Sequence, residues 1–254
     1  MQQRSTNMSR KIKNAVIFAG GLGTRLKPWT ENNQKAMYPI NGRPFLLYLI
    51  DQIKDFGIDD IYLLLGYKAY TVIDYFAAHK SYVIWENDIS KCGVEVCHTS
   101  YNDLKIKFII TPVDYDTNLR LKSAKDYIDS DFLMMYCDNI CPIDFDKLVD
   151  NFYEHNAMIE LSVYENKDSW TKSNLIIDNG ACDGRVLIYD KKRLEKNLNG
   201  VDIGCAILSK KIFDIMSDDD RDMEMAKVAG VRGIKVDDDY KLIDAVNDLI
   251  MDKR

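Results

Sequence analysis

Two clusters of residues could do chemistry together. The first is the loop AGGLGTRL, residues 19 to 26, which follows the apolar run Asn14 to Ala19. Gly20, Gly21 and Gly23 carry no Cβ, so their backbone N–H groups can close on an anion. Arg25 in the loop and Lys35 ten residues on add fixed positive charge, a combination that suits a triphosphate. The spacing is neither GxGxxG nor a Walker loop ending in GK[ST]. A nicotinamide site would also need a strand-end acid about 20 residues past the glycines. Tyr38 to Gly42 offer no acid, which excludes that chemistry.

The second cluster is Tyr136-Cys137-Asp138-Asn139, closing the apolar run from Phe132. A carboxylate there sits at the carboxyl edge of a parallel sheet, where ligands of open α/β folds bind. It would face the glycine loop. The acidic runs at 217–222 and 236–239 lack EF-hand spacing and read as solvated segments. The six cysteines, Cys92, Cys97, Cys137, Cys141, Cys182 and Cys205, contain no CxxC pair. Cys97-His98 is half a zinc site without a second pair at ligand spacing. Reduced, buried thiols are expected.

These residues need a scaffold. Residues 14 to 19 predict a buried strand feeding the loop. Pro44 opens a helix with apolar positions at 46, 49, 50 and 53, and Gly57 closes it. A second strand is predicted at 61–66, then a helix with Val72, Ile73 and Phe76 on one face. That is a βαβ rhythm. Residues 82 to 111 break it with short strands, read as a β-hairpin insertion before the third parallel strand. A helix is predicted over 119–129, a strand over 132–138, and a helix from Asp144 with apolar residues at 145, 148, 149 and 152. Further strands fall at 158–164, 174–177, 185–189 and 201–208. The expected fold is a single Rossmann-like three-layer α/β/α domain over 1–254. Its central sheet is mixed but mostly parallel, and a polar tail occupies residues 1–11.

GGLGTRL followed by Lys35 resembles the signature of sugar-1-phosphate nucleotidyltransferases. GRPFLLYLID, LGYKAYTVIDYF and the run VEVCHTSYNDLKIKFIITPVDYDTNLRLKSAKDYI extend the resemblance. The last run is similar to the glucose-1-phosphate cytidylyltransferase branch, with its hairpin and Thr-Gly-Gly-Arg-x-Lys segment. Here the two glycines are Asn118 and Leu119, followed by Arg120 and Lys122, and the family's Lys-Pro is Lys35-Ala36. The resemblance implies a transfer from a nucleoside triphosphate, CTP favoured, to a sugar 1-phosphate, releasing pyrophosphate. It implies Arg25 and Lys35 as catalytic cations. Gly20, Gly21, Gly23, Thr24 and Arg120 would line the nucleotide, and Lys192 and Asp202 the sugar phosphate. Asp138 and Asp244 would be Mg²⁺ ligands. Two alternatives stand beside it: a GTP-dependent heptose- or mannose-1-phosphate guanylyltransferase, and a nucleotide-binding pseudo-enzyme.

The bulk properties agree. At 254 residues and net charge −6, the chain is long enough for a full α/β core and lacks the basic face of nucleic-acid binders. The longest apolar run, Phe45 to Ile50, is far short of the ~18 residues of a membrane span. No secretory h-region opens the sequence. A cytosolic enzyme without membrane or nucleic-acid partners is expected, with homo-oligomers possible through the hairpin.

Overall fold

The computed structural model describes residues 12–79, 82–86, 94–178, 184–216 and 232–235. In chain order the elements are β1 (Asn14–Ala19), β2 (Pro39–Ile40), β3 (Arg43–Pro44), α1 (Phe45–Asp55), β4 (Asp60–Leu65) and α2 (Ala69–Ala78). Then come β5 (Ile84–Trp85), β6 (Glu95–Tyr101), β7 (Leu104–Ile110), α3 (Thr117–Lys122), β8 (Phe132–Tyr136) and α4 (Phe145–Glu154). The last are β9 (Ile159–Tyr164), β10 (Leu175–Ile177), β11 (Val186–Tyr189), β12 (Val201–Leu208), α5 (Ile212–Ile215) and β13 (Arg232–Lys235).

The main sheet has nine strands in the order β13-β9-β12-β8-β1-β4-β7-β6-β5. Its centre, β8-β1-β4-β7, is parallel. The pairs β12–β8, β12–β9, β6–β7 and β5–β6 are antiparallel, so the sheet is mixed as expected, with its parallel part in the middle. β1 leads outward to β4 on one side, while β8 lies on the other. This is a topological switch point, and the crevice above it is where open sheets place ligands.

Central strands are buried on both faces and read as continuous apolar runs. The side-chain period of two divides them. Ala15, Ile17, Ala19, Leu63, Leu65, Leu133 and Met135 join α1, α2 and α4 in one core. Val16, Phe18, Leu64 and Phe132 join Leu121 of α3, Ile212 and Phe213 of α5, and β10 in the other. The layers are therefore α/β/α, with the small β10–β11 sheet on the second face.

The residues 82–111 extend the main sheet's edge: β5 pairs with β6, and β6 returns through Asn102 and Asp103, both at positive φ, into β7. Residues 87–93, between β5 and β6, lie outside the described residues. The helix predicted over 119–129 is shorter, Thr117–Lys122. Asp116 caps its start, accepting from the Leu119 N–H at 2.9 Å. The Ser123 hydroxyl bonds back to the Leu119 carbonyl at 2.9 Å, and the chain continues in i→i−3 turns. A serine competing for the helix's own carbonyl loosens the ladder there. Asp144 caps α4, accepting from the Lys147 N–H at 3.0 Å. Cys97, Cys137, Cys141 and Cys205 are buried free thiols, while Cys92, Cys182 and the two acidic runs fall outside the described residues. Among the described residues no helix is long and apolar enough to cross a membrane.

Phe76 anchors α2 on the sheet. It is fully buried, with ring centroids of Phe108 and Tyr101 at 5.5 Å. Phe76→Ala is expected to lower stability by about 3–5 kcal/mol through lost burial and a cavity. Urea unfolding should register it as a lower midpoint at unchanged slope; a loss under about 1 kcal/mol would contradict this packing.

Candidate active site

The crevice between β1 and β8 is built from the chain's two chemical clusters. β1 ends at Ala19 and the glycine loop turns outward. Gly23 takes φ +59°, and a Cβ on it would stand 2.9 Å from the Lys35 Cβ and 3.0 Å from Thr30 Cγ2. Only glycine meets both demands, the left-handed angle and the close approach. The Thr30 hydroxyl donates to the Gly23 carbonyl at 2.9 Å. Thr24 and Arg25 are exposed beside it, and Gly21 faces open space.

Gln34 fastens the loop's far end. Fully buried, it donates from Nε2 to the Ala19 carbonyl at 2.6 Å. Its Oε1 accepts from the Ala36 N–H, and its backbone N–H donates to Thr71 Oγ1 at 3.1 Å. A buried amide with these bonds made is rigid, and leaving any of them unmade would cost about 1–3 kcal/mol. Gln34 thereby presents Lys35 back toward the end of β1.

Lys35 Nζ forms an ion pair with the Asp138 carboxylate just past β8. The side chains retain 22% and 18% of their exposure, so the pair is half-buried and still reachable from the crevice. Burial alone would lower the lysine pKa. The charges of Cys137 and Asp138 and the Asp138 hydrogen bond outweigh it, so the net shift is upward. Burial pushes the Cys137 thiol up to about 12. Arg25 stands close enough for its charge to act against Lys35. Arg25, Lys35 and Asp138 thus share one neighbourhood.

Asp202 joins it through a bulge. The β12–β9 register shifts between Asp202 and Ala206. Gly204 sits at φ +79°, its missing Cβ 2.8 Å from the Tyr136 ring. The Asn139 Nδ2 donates to the Ile203 carbonyl at 2.9 Å, tying the bulge to the Asp138 turn. The Asp202 carboxylate accepts from the Gly204 N–H at 2.8 Å and the Tyr189 hydroxyl at 2.9 Å. Burial raises its pKa while these two bonds pull it back. Lys192 is exposed on a loop wrapped around Asp190, whose carboxylate accepts from the N–H groups of residues 192–195 at 2.6–3.0 Å. Those bonds, that of Glu195 first, hold the Asp190 carboxyl below its ordinary range. Arg120 lies buried on the other side of the glycine loop, against Gly20 and Gly66. Asp244 is outside the described residues. Among the described residues no three His, Cys, Asp or Glu side chains form a metal cluster.

Gln34, Tyr189 and Asp190 shape the site and are absent from the sequence reading, and Asn139 enters it only as a member of the strand-end segment. Asn139, next to the strand-end acid, carried the only local signal.

An open α/β sheet with a cation-bearing glycine loop facing a strand-end carboxylate defines a phosphate-handling site at the switch point. Comparison with known proteins narrows the class: the nucleotidyl transferase family profile matches residues 14–236, and the chain belongs to that family. The bifunctional protein GlmU of Methanocaldococcus jannaschii is 26% identical over 240 residues, covering 94% of this chain and 47% of GlmU, so the chain spans about half of that relative. The glucose-1-phosphate cytidylyltransferase of Salmonella typhimurium is 31% identical over 154 residues, covering 58% of this chain and 59% of that one. The crystal structure of HddC from Yersinia pseudotuberculosis complexed with GMP-PN matches at 26% identity and a TM-score of 0.65, covering 89% of this chain and 91% of HddC.

The raised Lys35 pKa has a signed consequence. A lysine with a folded pKa above its unfolded 10.5 stabilises the protein below that pH and loses the effect as pH rises through the folded value. Lys35→Gln should therefore lose stability relative to wild type at neutral pH, and the gap should close above about pH 10.5. Thermal melts of both chains from pH 7 to 11 check this; a gap that does not narrow would contradict the pairing.

Proposed function

We propose that the chain is a sugar-1-phosphate nucleotidyltransferase, moving a nucleotidyl group from a nucleoside triphosphate to a sugar 1-phosphate. The observation that carries this reading is the Lys35–Asp138 pair with Arg25 alongside, at the mouth of the glycine loop. Family membership and the resemblance to a cytidylyltransferase and to HddC support it.

The sugar phosphate is already an oxyanion, so no general base is required. Its oxygen attacks the α-phosphorus in line with the departing pyrophosphate; one P–O bond forms and one breaks. The obstacle is the meeting of two polyanions, which positioning and fixed charge relieve. Arg25 and Lys35 hold the α-phosphate and the leaving pyrophosphate. Backbone N–H groups at Gly20, Gly21, Gly23 and Thr24 line the triphosphate. Lys192 and Asp202 take the sugar phosphate and sugar.

Asp138, with Asp244 as second ligand, would hold Mg²⁺. A half-buried, oxygen-only donor at the phosphate loop fits that ion, which prefers one or two carboxylates plus substrate phosphates. When bound, it neutralises phosphate charge and orients the two substrates. Lys35 is the present counter-ion of Asp138.

CTP is the favoured donor, on the 82–111 run and the likeness to the Salmonella enzyme. The GMP-PN complex of HddC favours GTP as a second reading. Pyrophosphate release over a panel of nucleoside triphosphates and sugar 1-phosphates separates them: turnover highest with CTP is expected, and turnover highest with GTP would transfer the assignment. With the best pair, Arg25→Ala and Asp138→Ala are each expected to lower kcat by about 10²–10³, the scale of one preorganised electrostatic contact. Near-normal turnover in both variants would overturn the proposed roles.

A further inference from the structure

Gly20 and Gly66 follow the adjacent parallel strands β1 and β4. Neither has a left-handed φ, so neither is needed for its backbone angle. Their missing side chains make room for something else. A Cβ at Gly20 would stand 2.3 Å from Arg120 Cζ, and one at Gly66 would stand 2.4 Å from Arg120 Nη1. The Arg120 guanidinium therefore rests directly on the backbone of the two strand ends. It is 5% exposed.

Its partners are neutral. Nη1 donates to the Leu65 carbonyl at 3.2 Å and to the Thr111 hydroxyl, and Nη2 to the Val113 carbonyl at 2.9 Å. Burial lowers its pKa, and the charges of Asp114 and Asp116 only partly restore it. A buried cation bonded to neutral oxygens is held less firmly than one paired with a carboxylate. A planar cation is thus fitted into a glycine-floored platform and, among the described residues, hydrogen-bonds there only to neutral oxygens.

The platform's position matters. Gly20 opens the glycine loop, so the platform begins where the triphosphate cradle begins. On the β8 side of that loop stand Asp138 and the Asp202 bulge. A nucleotide whose phosphates lie along Gly21 to Arg25 has the β4 side left for its nucleoside, and that side is where the guanidinium sits.

We propose that Arg120 is a specificity-determining residue that occupies the nucleoside platform and is displaced when a nucleotide binds. This rests on the nucleotidyl-transfer reading. Arg120 acts as an internal competitor: the apparent affinity for a nucleotide is reduced by the fraction of molecules in which the platform is free. The competition concerns the nucleoside alone, because the phosphate cradle on the far side of Gly20 is untouched.

The test compares wild type with Arg120→Met, which keeps the stem and removes the guanidinium. Calorimetry with CTP, with GTP and with inorganic tripolyphosphate reads the two halves of the ligand separately. The expected result is at least one nucleoside triphosphate bound about fivefold or more tighter by the variant, with tripolyphosphate affinity within about twofold. Equal or weaker nucleotide binding by the variant overturns the assignment, and so does a parallel shift for tripolyphosphate. Failure of both chains to bind any nucleoside triphosphate removes the nucleotidyl-transfer reading as well. A second measurement needs no variant: phenylglyoxal labels accessible guanidinium groups, and peptide mass spectrometry locates them. Labelling of Arg120 in wild type should rise when CTP or GTP is added. Unchanged or reduced labelling overturns the displacement.

Discussion

The ion pair between Lys35 and Asp138 is the contact on which the site depends. It joins residues 103 apart in sequence, one on the loop after β1 and one on the turn after β8. Charges this exposed interact weakly as isolated pairs. Here the geometry is imposed from behind, by Gln34 on one side and by the β1–β8 ladder on the other, including the Cys137 N–H to Phe18 carbonyl bond at 3.2 Å. The pair keeps Lys35 and Asp138 facing each other at the mouth of the glycine loop. An incoming phosphate can take over the lysine, and a divalent cation can take over the carboxylate.

The fold makes that arrangement possible without strain in the central strands. β1 and β8 are parallel and buried on both faces, so their carboxyl ends emerge side by side. At the site the left-handed backbone falls on glycines, Gly23 in the loop and Gly204 in the β12 bulge. The Asn139 bond to the Ile203 carbonyl ties the β12 bulge that carries Asp202 to the Asp138 turn. Three separate strand ends, β1, β8 and β12, thus contribute to one crevice, and β4 contributes the platform under Arg120.

Much of this was readable from local signals. Glycine spacing, a strand ending in an acid and the 3.6-residue period of α4 are short-range features, and they located β1, the loop, Asp138 and the strands from 158 to 208. What could not be read was set by tertiary packing. The resemblance sets Arg120 beside the nucleotide through the Thr-Gly-Gly-Arg-x-Lys segment, whereas the slot that holds it is made by Gly20 and Gly66, 100 and 54 residues away. Gln34 gives no signal in the sequence, and only the position of the Ala19 carbonyl makes it a strut. α3 ends early because Ser123 finds a carbonyl acceptor within its own turn. The loop around Lys192 owes its form to Asp190, a role that no spacing rule announces.

The central claim is that Asp138, held by Lys35 at the phosphate loop, is where a divalent ion and a nucleotide meet. Manganese electron paramagnetic resonance on the whole chain tests it most directly, with Mn²⁺ replacing Mg²⁺ and a non-hydrolysable CTP or GTP analogue present. Wild type should bind the ion tightly only when the nucleotide is added, and Asp138→Asn should lose that nucleotide-dependent binding. Equal nucleotide-dependent Mn²⁺ binding by wild type and Asp138→Asn would contradict the account.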